Sequence, residues 1–251
     1  GDNVDKGTSF TMGNQFTVTG GGELDNGLNV SLSYQLDNKA GESGPFDDHS
    51  ITISSDEIGT IKFSGHGGSS ASSSIDGTVA GDIWDGFDST LSANASSGLA
   101  VSAASAGENS VFYTLPTLMD GVSLFASYNP QVAGTTEAEM GYGITYTGIE
   151  GLTASYASTD EETGTANTSG EQTAYKVSYA YGPVTIGTSN SDYDVGSAGT
   201  DQEIDSYNIA YTVSDELSLA YGVETISNSG SAVDPEYSAI VATYTSGGVT
   251  L

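Results

Sequence analysis

Alternation at period two restricts this chain's fold more than any other feature. Leu28, Val30, Leu32, Tyr34 and Leu36 interleave with Asn29, Ser31, Ser33, Gln35 and Asp37. Successive strand residues point to opposite faces, so such a stretch makes one apolar and one polar face. The pattern returns from Phe10 to Leu24, with Met12, Phe16 and Val18 on the apolar parity, and again at Ile51 and Ile53 and at Ile61 and Phe63. It continues through Val122 to Tyr128, Met140 to Tyr146, Tyr175 to Tyr181, Tyr207 to Val213 and Leu217 to Val223. About thirteen strands result. Short turns at Asn26-Gly27, 56–59, Asp120-Gly121, 148–151, Gly182-Pro183 and 214–216 alternate with longer polar loops at 38–47, 158–170, 189–201 and 227–234. One end of the sheet is therefore tidy and the other elaborate, as in an up-and-down antiparallel sheet.

The two faces differ in a way that bears on the surroundings. The polar parity carries Ser, Thr, Gly, Asn and Ala rather than the Lys and Glu of a soluble surface. The apolar parity is apolar along the whole sheet, and Tyr34, Tyr128, Tyr156, Tyr181 and Tyr221 stand near strand ends. A transmembrane β-barrel turns such a face to lipid, sets aromatic girdles at the interfaces and fills its inside with water and small polar groups. No run approaches the ~18 apolar residues of a membrane helix, but a barrel strand needs only ~9–11. The alternative is a soluble, acidic, β-rich surface-layer or adhesin-like protein, which needs no lipid-facing band. With Cys at 0, disulfides and thiolate metal sites are excluded.

Charge narrows the partners. Lys plus Arg is 4, with no Arg, against 33 acids, for a formal charge of −29. Nucleic acid is excluded as a partner, since phosphate neutralisation needs a basic surface. The segment 65–108 has no Lys or Arg and is mostly Gly, Ser and Ala, with Asp76, Asp82, Ile83, Trp84, Asp85, Phe87 and Asp88 in its middle. A long insertion of this kind is functional or disordered. The apolar residues favour function: Trp84 and Phe87 are the expected anchors, and Asp76, Asp82, Asp85 and Asp88 the expected lining of a pore's narrowest point. A surface Ω-loop with solvated acids is the plainer reading. Lys62, Glu139, Lys176 and Glu224 lie on the polar parity and are expected on the lumen wall. The density of acid oxygens suits Ca²⁺, but EF-hand spacing is absent and no metal or cofactor is expected. His49 and His66 have no metal-ligand spacing to a partner and read as incidental. No Ser, His and Asp constellation is evident, and Gly20-Gly21-Gly22 falls in a strand rather than a phosphate loop, so no enzyme is expected.

With these features the chain resembles the general porins of Gram-negative outer membranes, the trimeric, sixteen-stranded class. Register is the most specific part of the likeness. With one strand ahead of Gly1, the segment 65–108 joins the fifth and sixth strands, where that family carries the loop folded into the lumen. The strand broken at Leu251 is then the fifteenth. The resemblance thus implies a single β-barrel domain over residues 1–251, lacking its first strand and the last one or two, with 65–108 as constriction loop. It further implies an outer-membrane homotrimer for passive diffusion of small hydrophilic solutes. Asn14, Gly20 and Gly22 on the first strand's apolar parity suit close subunit contact, and the 38–47 loop matches the family's latch onto a neighbour. Two departures stand out: the family's C-terminal aromatic residue and its basic cluster facing the loop are both missing. The expected preference is therefore for cations.

Overall fold

The structure, a computed structural model, describes residues 15–36, 46–83, 108–130, 138–161, 170–195, 201–229, 233–246 and 249–250. Its strands are β1 (Phe16–Glu23), β2 (Asn29–Leu36), β3 (Phe46–Ser55), β4 (Gly59–His66), β5 (Glu108–Thr114), β6 (Val122–Asn129) and β7 (Glu139–Tyr146). They continue as β8 (Leu152–Glu161), β9 (Gly170–Tyr181), β10 (Val184–Val195), β11 (Gln202–Thr212), β12 (Leu217–Asn228), β13 (Glu236–Ser246) and β14 (Val249–Thr250). Each pairs antiparallel with the next in one sheet ordered β1 to β14. This is the expected all-β, up-and-down architecture. Among the described residues β1 and β14 do not pair, so the sheet is open there, and the count of sixteen strands stays an expectation.

The short turns form where the sequence places them. At the first, Gly27 takes φ +81° and its N–H donates to Leu24 O at 2.9 Å. Leu24 N–H donates to Leu28 O at 2.8 Å, which sets Glu23 opposite Asn29. A side chain would strain at that φ, which is why Asn-Gly suits the position.

Three polar loops are shorter than the sequence suggests. β8 runs on to Glu161, β10 to Val195 and β12 to Asn228, while β9 starts at Gly170 and β11 at Gln202. Strands β9, β10 and β12 have 12 residues each, longer than the ~9–11 that cross a bilayer. Beyond the lipid band both faces meet polar surroundings, so alternation fades while hydrogen-bonded pairing continues. The parity of β13, ambiguous in sequence, is set by Tyr237 standing opposite Glu224. Tyr237 is buried inside, and Ile240 is 79% exposed outside.

Outward, the sheet presents bare aromatics and aliphatics, with Tyr142 64% and Tyr207 59% exposed. Inward lie two small clusters: Ala71, Phe125 and Ala157 with Ile75 and Phe112, and Ile204, Ile226 and Tyr237 with Ile83. Both form between the sheet's inner face and the segment that follows β4. The apolar core thus sits where that segment meets the wall.

Candidate functional site

The segment after β4 holds itself together with its own hydroxyls. Ser70 starts one helical turn: Ser73 N–H donates to Ser70 Oγ at 3.1 Å, and Ser74 N–H to Ser70 O at 3.1 Å. Ser74 Oγ donates to Ala71 O at 2.6 Å. Ser side chains compete well for nearby backbone groups, so a Ser-rich stretch can satisfy itself without a long helix. A second turn closes at Thr78, whose Oγ1 accepts from Gly81 N–H at 3.1 Å and Asp82 N–H at 2.7 Å. Asp82 Oδ1 returns the contact by accepting from Thr78 N–H at 3.0 Å. Asp82 itself has φ +54°, a conformation Asp tolerates better than most residues.

From there the segment travels along the inner face, strand by strand. Ala71 N–H donates to Ser127 Oγ on β6 at 2.8 Å, and Ser72 N–H to Thr159 Oγ1 on β8 at 3.0 Å. Ser72 Oγ lies 2.8 Å from both Thr159 Oγ1 and Gln172 Oε1, the latter on β9. Val79 N–H donates to Ser189 Oγ on β10 at 3.0 Å, and Ala80 N–H to Ser206 Oγ on β11 at 3.2 Å. Thr78 Oγ1 donates to Glu224 Oε1 on β12. Ser189, Ser206 and Glu224 stand directly opposite one another across β10, β11 and β12. The wall's hydroxyls therefore accept from backbone N–H groups that would otherwise be buried without a partner.

Close approach requires that the wall lack side chains at defined points. A Cβ on Gly141 would lie 2.8 Å from Ala71 Cβ, and one on Gly222 would lie 2.6 Å from Ala80 Cβ and 3.0 Å from Ile83 Cδ1. At Gly187 it would lie 3.2 Å from Val79 Cβ. Glycine lets the segment's backbone press against the sheet there.

The sequence-derived site residues divide into three groups. Trp84, Phe87, Asp85 and Asp88 lie outside the described residues. Asp76 and Asp82 are on the docked segment, Asp82 exposed and Asp76 half-buried. Burial pushes the Asp76 carboxyl above the usual aspartate range, with the negative field of Asp82 adding to it. A hydrogen bond with Gln172, the Lys176 ammonium and the Gly77 N–H oppose the rise. The third group is the wall. The sequence puts Glu224 on open lumen, but it is fully buried under the segment, bonded to Thr78. Glu139 is also buried, opposite Asn129 at the long-loop end of β7. Lys176 stands opposite Ser189, and Lys62 stands opposite Thr52 and Phe112. Both Lys are half-buried and are the only Lys among the described residues.

Sequence reasoning missed the docking residues Ser127, Thr159, Gln172, Ser189 and Ser206 and the three glycines. It read the small polar parity as facing water. Ile83, named in sequence with the aromatic knot, does anchor, against Ile204, Ile226 and Tyr237.

A long antiparallel sheet with an apolar outer face and a chain segment docked inside is the form of an outer-membrane β-barrel channel. The Gram-negative porin family profile matches residues 1–251, and the chain belongs to that family. It is accordingly an outer-membrane channel protein of the bacterial cell. Among solved structures it is similar to a porin refined at 1.8 Å, with TM-score 0.66 and 17% identity over 93% of this chain and 82% of that one. It is similar to Salmonella typhi OmpF in complex with daunomycin, with TM-score 0.59 and 14% identity over 93% and 78%. It is also similar to Vibrio cholerae OmpT in its trimer form, with TM-score 0.53 and 14% identity over 92% and 75%. No curated protein sequence matches the chain. The soluble surface-layer alternative gains no support from these comparisons.

Proposed function

We propose that this porin is a passive diffusion channel for small hydrophilic solutes and ions, with a preference for cations, and that the segment 65–108 forms its constriction. The observation that carries the reading is the docked stretch of that segment, which holds Asp76 and Asp82 on the inner side of a wall whose described cations are Lys62 and Lys176 alone. Size exclusion at the segment and attraction by fixed carboxylates are the mechanism. A cation ~5 Å from one carboxylate gains about 3 kcal/mol at an effective dielectric near 20 and under about 1 kcal/mol in bulk-like water. A wet pore lies toward the lower value, so several carboxylates bias ions without trapping them. Passage down a gradient uses no cofactor.

Reversal potentials across planar bilayers under a salt gradient test this. The expected sign is that of cation preference, declining with salt as the screening length falls from ~10 Å at 0.1 M to ~3 Å at 1 M. A reversal potential of the opposite sign would sink the cation claim.

The assembly proposed is a homotrimer. Its supports are the family, the trimer form of the similar OmpT, and the outer face of β1. There Gly20 and Gly22 stand opposite Leu32 and Val30, a smooth surface for a close neighbour. Mass measurement in mild detergent should give three chains, and a monomer would count against it.

A further inference from the structure

At the long-loop end of β3 and β4 two irregularities meet. Tyr34 pairs with His49 and Leu36 with Phe46, so Gln35 on β2 faces two residues, Asp47 and Asp48. His49 pairs with His66 and Ser50 with Ser64, which leaves Gly65 as an extra residue on β4. A bulge re-aims the side chains next to it. Here two bulges bring Asp47, Asp48 and His66 together, although adjacent strand residues such as Asp47 and Asp48 ordinarily point to opposite faces.

His66 Nδ1 and Asp48 Oδ1 are hydrogen-bonded, and with Asp47 the two side chains offer three donor groups that could turn onto one ion. His66 Nδ1 lies 3.1 Å from Asp48 Oδ1 and 3.9 Å from Asp47 Oδ1, and one ligand atom from each residue falls within 4.8 Å of the others. Gln35 Nε2 donates to Asp47 Oδ2 at 3.2 Å, which orients that carboxylate while Oδ1 faces the imidazole. Gly67, at φ +68°, makes room: a Cβ there would collide with the Asp48 carboxylate. Gly65 does the same for the neighbouring imidazole, since its Cβ would collide with the His49 ring.

We propose that Asp47, Asp48 and His66 bind a divalent first-row transition-metal ion, of which Zn²⁺ is the representative. Bonds of ~2.0–2.2 Å to imidazole nitrogen and carboxylate oxygen put the ligand atoms of a tetrahedral ion about 3.4 Å apart, between the 3.1 and 3.9 Å separations seen. An imidazole donor favours Zn²⁺ and its neighbours in the row, whereas Ca²⁺ takes six or more oxygens. Three protein ligands leave the remaining positions to water. The ion joins β3 to the last residue of β4, immediately before Gly67, where the inward segment leaves the wall. It thereby fixes the root of that segment. On this proposal His66 is a ligand rather than incidental, because the partners it lacks in sequence spacing are supplied by the bulges.

Calorimetric titration of the purified protein with Zn²⁺, in excess Mg²⁺ to occupy the general acidic surface, tests the site. The expected result is one saturable site per chain, abolished in His66→Ala and in Asp48→Asn. Gln35→Ala, which removes only the orienting contact, should weaken it ~10–100-fold. Co²⁺ in place of Zn²⁺ should give visible absorption that disappears in His66→Ala. Asp56→Asn, an acid in the opposite turn, should change nothing. Unchanged Zn²⁺ affinity in a folded His66→Ala, or no saturable binding once Mg²⁺ is in excess, would overturn the proposal. Should His66→Ala fail to fold, Asp48→Asn takes its place, and unchanged Zn²⁺ affinity there would overturn the proposal equally.

Discussion

The inner face of the sheet has two halves built from the same residue types and used differently. Over β1 to β3 the hydroxyls of Thr19, Ser31, Ser33, Ser50 and Thr52 line an open cavity of about 520 Å³. Over β6 to β12, Ser127, Thr159, Ser189 and Ser206 are buried and accept hydrogen bonds from the docked segment. Small polar side chains on an inner wall are thus not a signature of water. They serve equally as acceptors for a polypeptide backbone laid across them, and glycine at Gly141, Gly187 and Gly222 decides how near that backbone comes.

The outer face should not distinguish the halves. Arg in place of Leu32 on β2 or Tyr207 on β11 puts a charge on the same apolar outer face, which meets lipid or, beside β1, a neighbouring subunit. Each should destabilise by ~2–4 kcal/mol at mid-bilayer depth and less toward an interface. Unfolding in lipid vesicles measures this. Ser33→Arg, on the inner face beside Leu32, should instead leave stability nearly intact and alter conductance. Equal tolerance of Arg at positions 32 and 33 would contradict the assignment of faces.

Inner substitutions should separate the halves. Gly222→Val puts bulk where Ala80 and Ile83 already lie, and overpacking of this kind costs ~1–3 kcal/mol. Single-channel conductance should shift as well, because the segment must move. Ser33→Val on the uncovered half should do neither. Next in size come the hydroxyls: Ser206→Ala takes the acceptor from Ala80 N–H and should cost about 1 kcal/mol, whereas Ser31→Ala should cost nothing measurable. If the two Ser changes proved equivalent in thermal unfolding, the docking bonds would carry no stability.

What could be read in the sequence follows the same division. Strand faces and short turns were legible because alternation and Asn-Gly or Asp-Gly signals act within a few residues. A short turn even fixes register: Thr212 opposite Ser218 places Ser206 opposite Glu224. The pairing of Ser189 with Ser206 spans a long loop, and no local signal sets it. The row that receives the segment was therefore not derivable, and Glu224 read as open wall rather than as the partner of Thr78. Strand ends beyond the lipid band were lost for a related reason, as alternation reports the membrane and not the ladder. In the segment, the acids and Ile83 were visible as a group. Their anchoring to particular strands was not, since it depends on contacts between residues far apart in the chain.

The smallest expected effect concerns charge within the docked half and sharpens the comparison most finely. Asp76 and Asp82 belong to the same segment, and burial raises the Asp76 carboxyl above the ordinary aspartate range. As pH falls from neutral, Asp76 should take up its proton at a higher pH than an ordinary aspartate, and cation preference should begin to decline there. In Asp76→Asn that early decline should vanish. Asp82→Asn should lower the preference at neutral pH while keeping the turn, because Asn can still accept from Thr78 N–H and tolerates φ +54°. Stability gives an independent readout with a definite sign. A carboxyl whose folded pKa is raised holds its proton more tightly when folded, so its contribution is fully present below the unfolded value of ~3.9 and is lost as pH rises through the folded value. Asp76→Asn should accordingly gain stability relative to the parent as pH rises toward neutral and match it in acid. The opposite trend in denaturant midpoints would mean that the Lys176 and Gln172 contacts outweigh burial, and Asp76 would then be a fixed charge of the pore at every working pH.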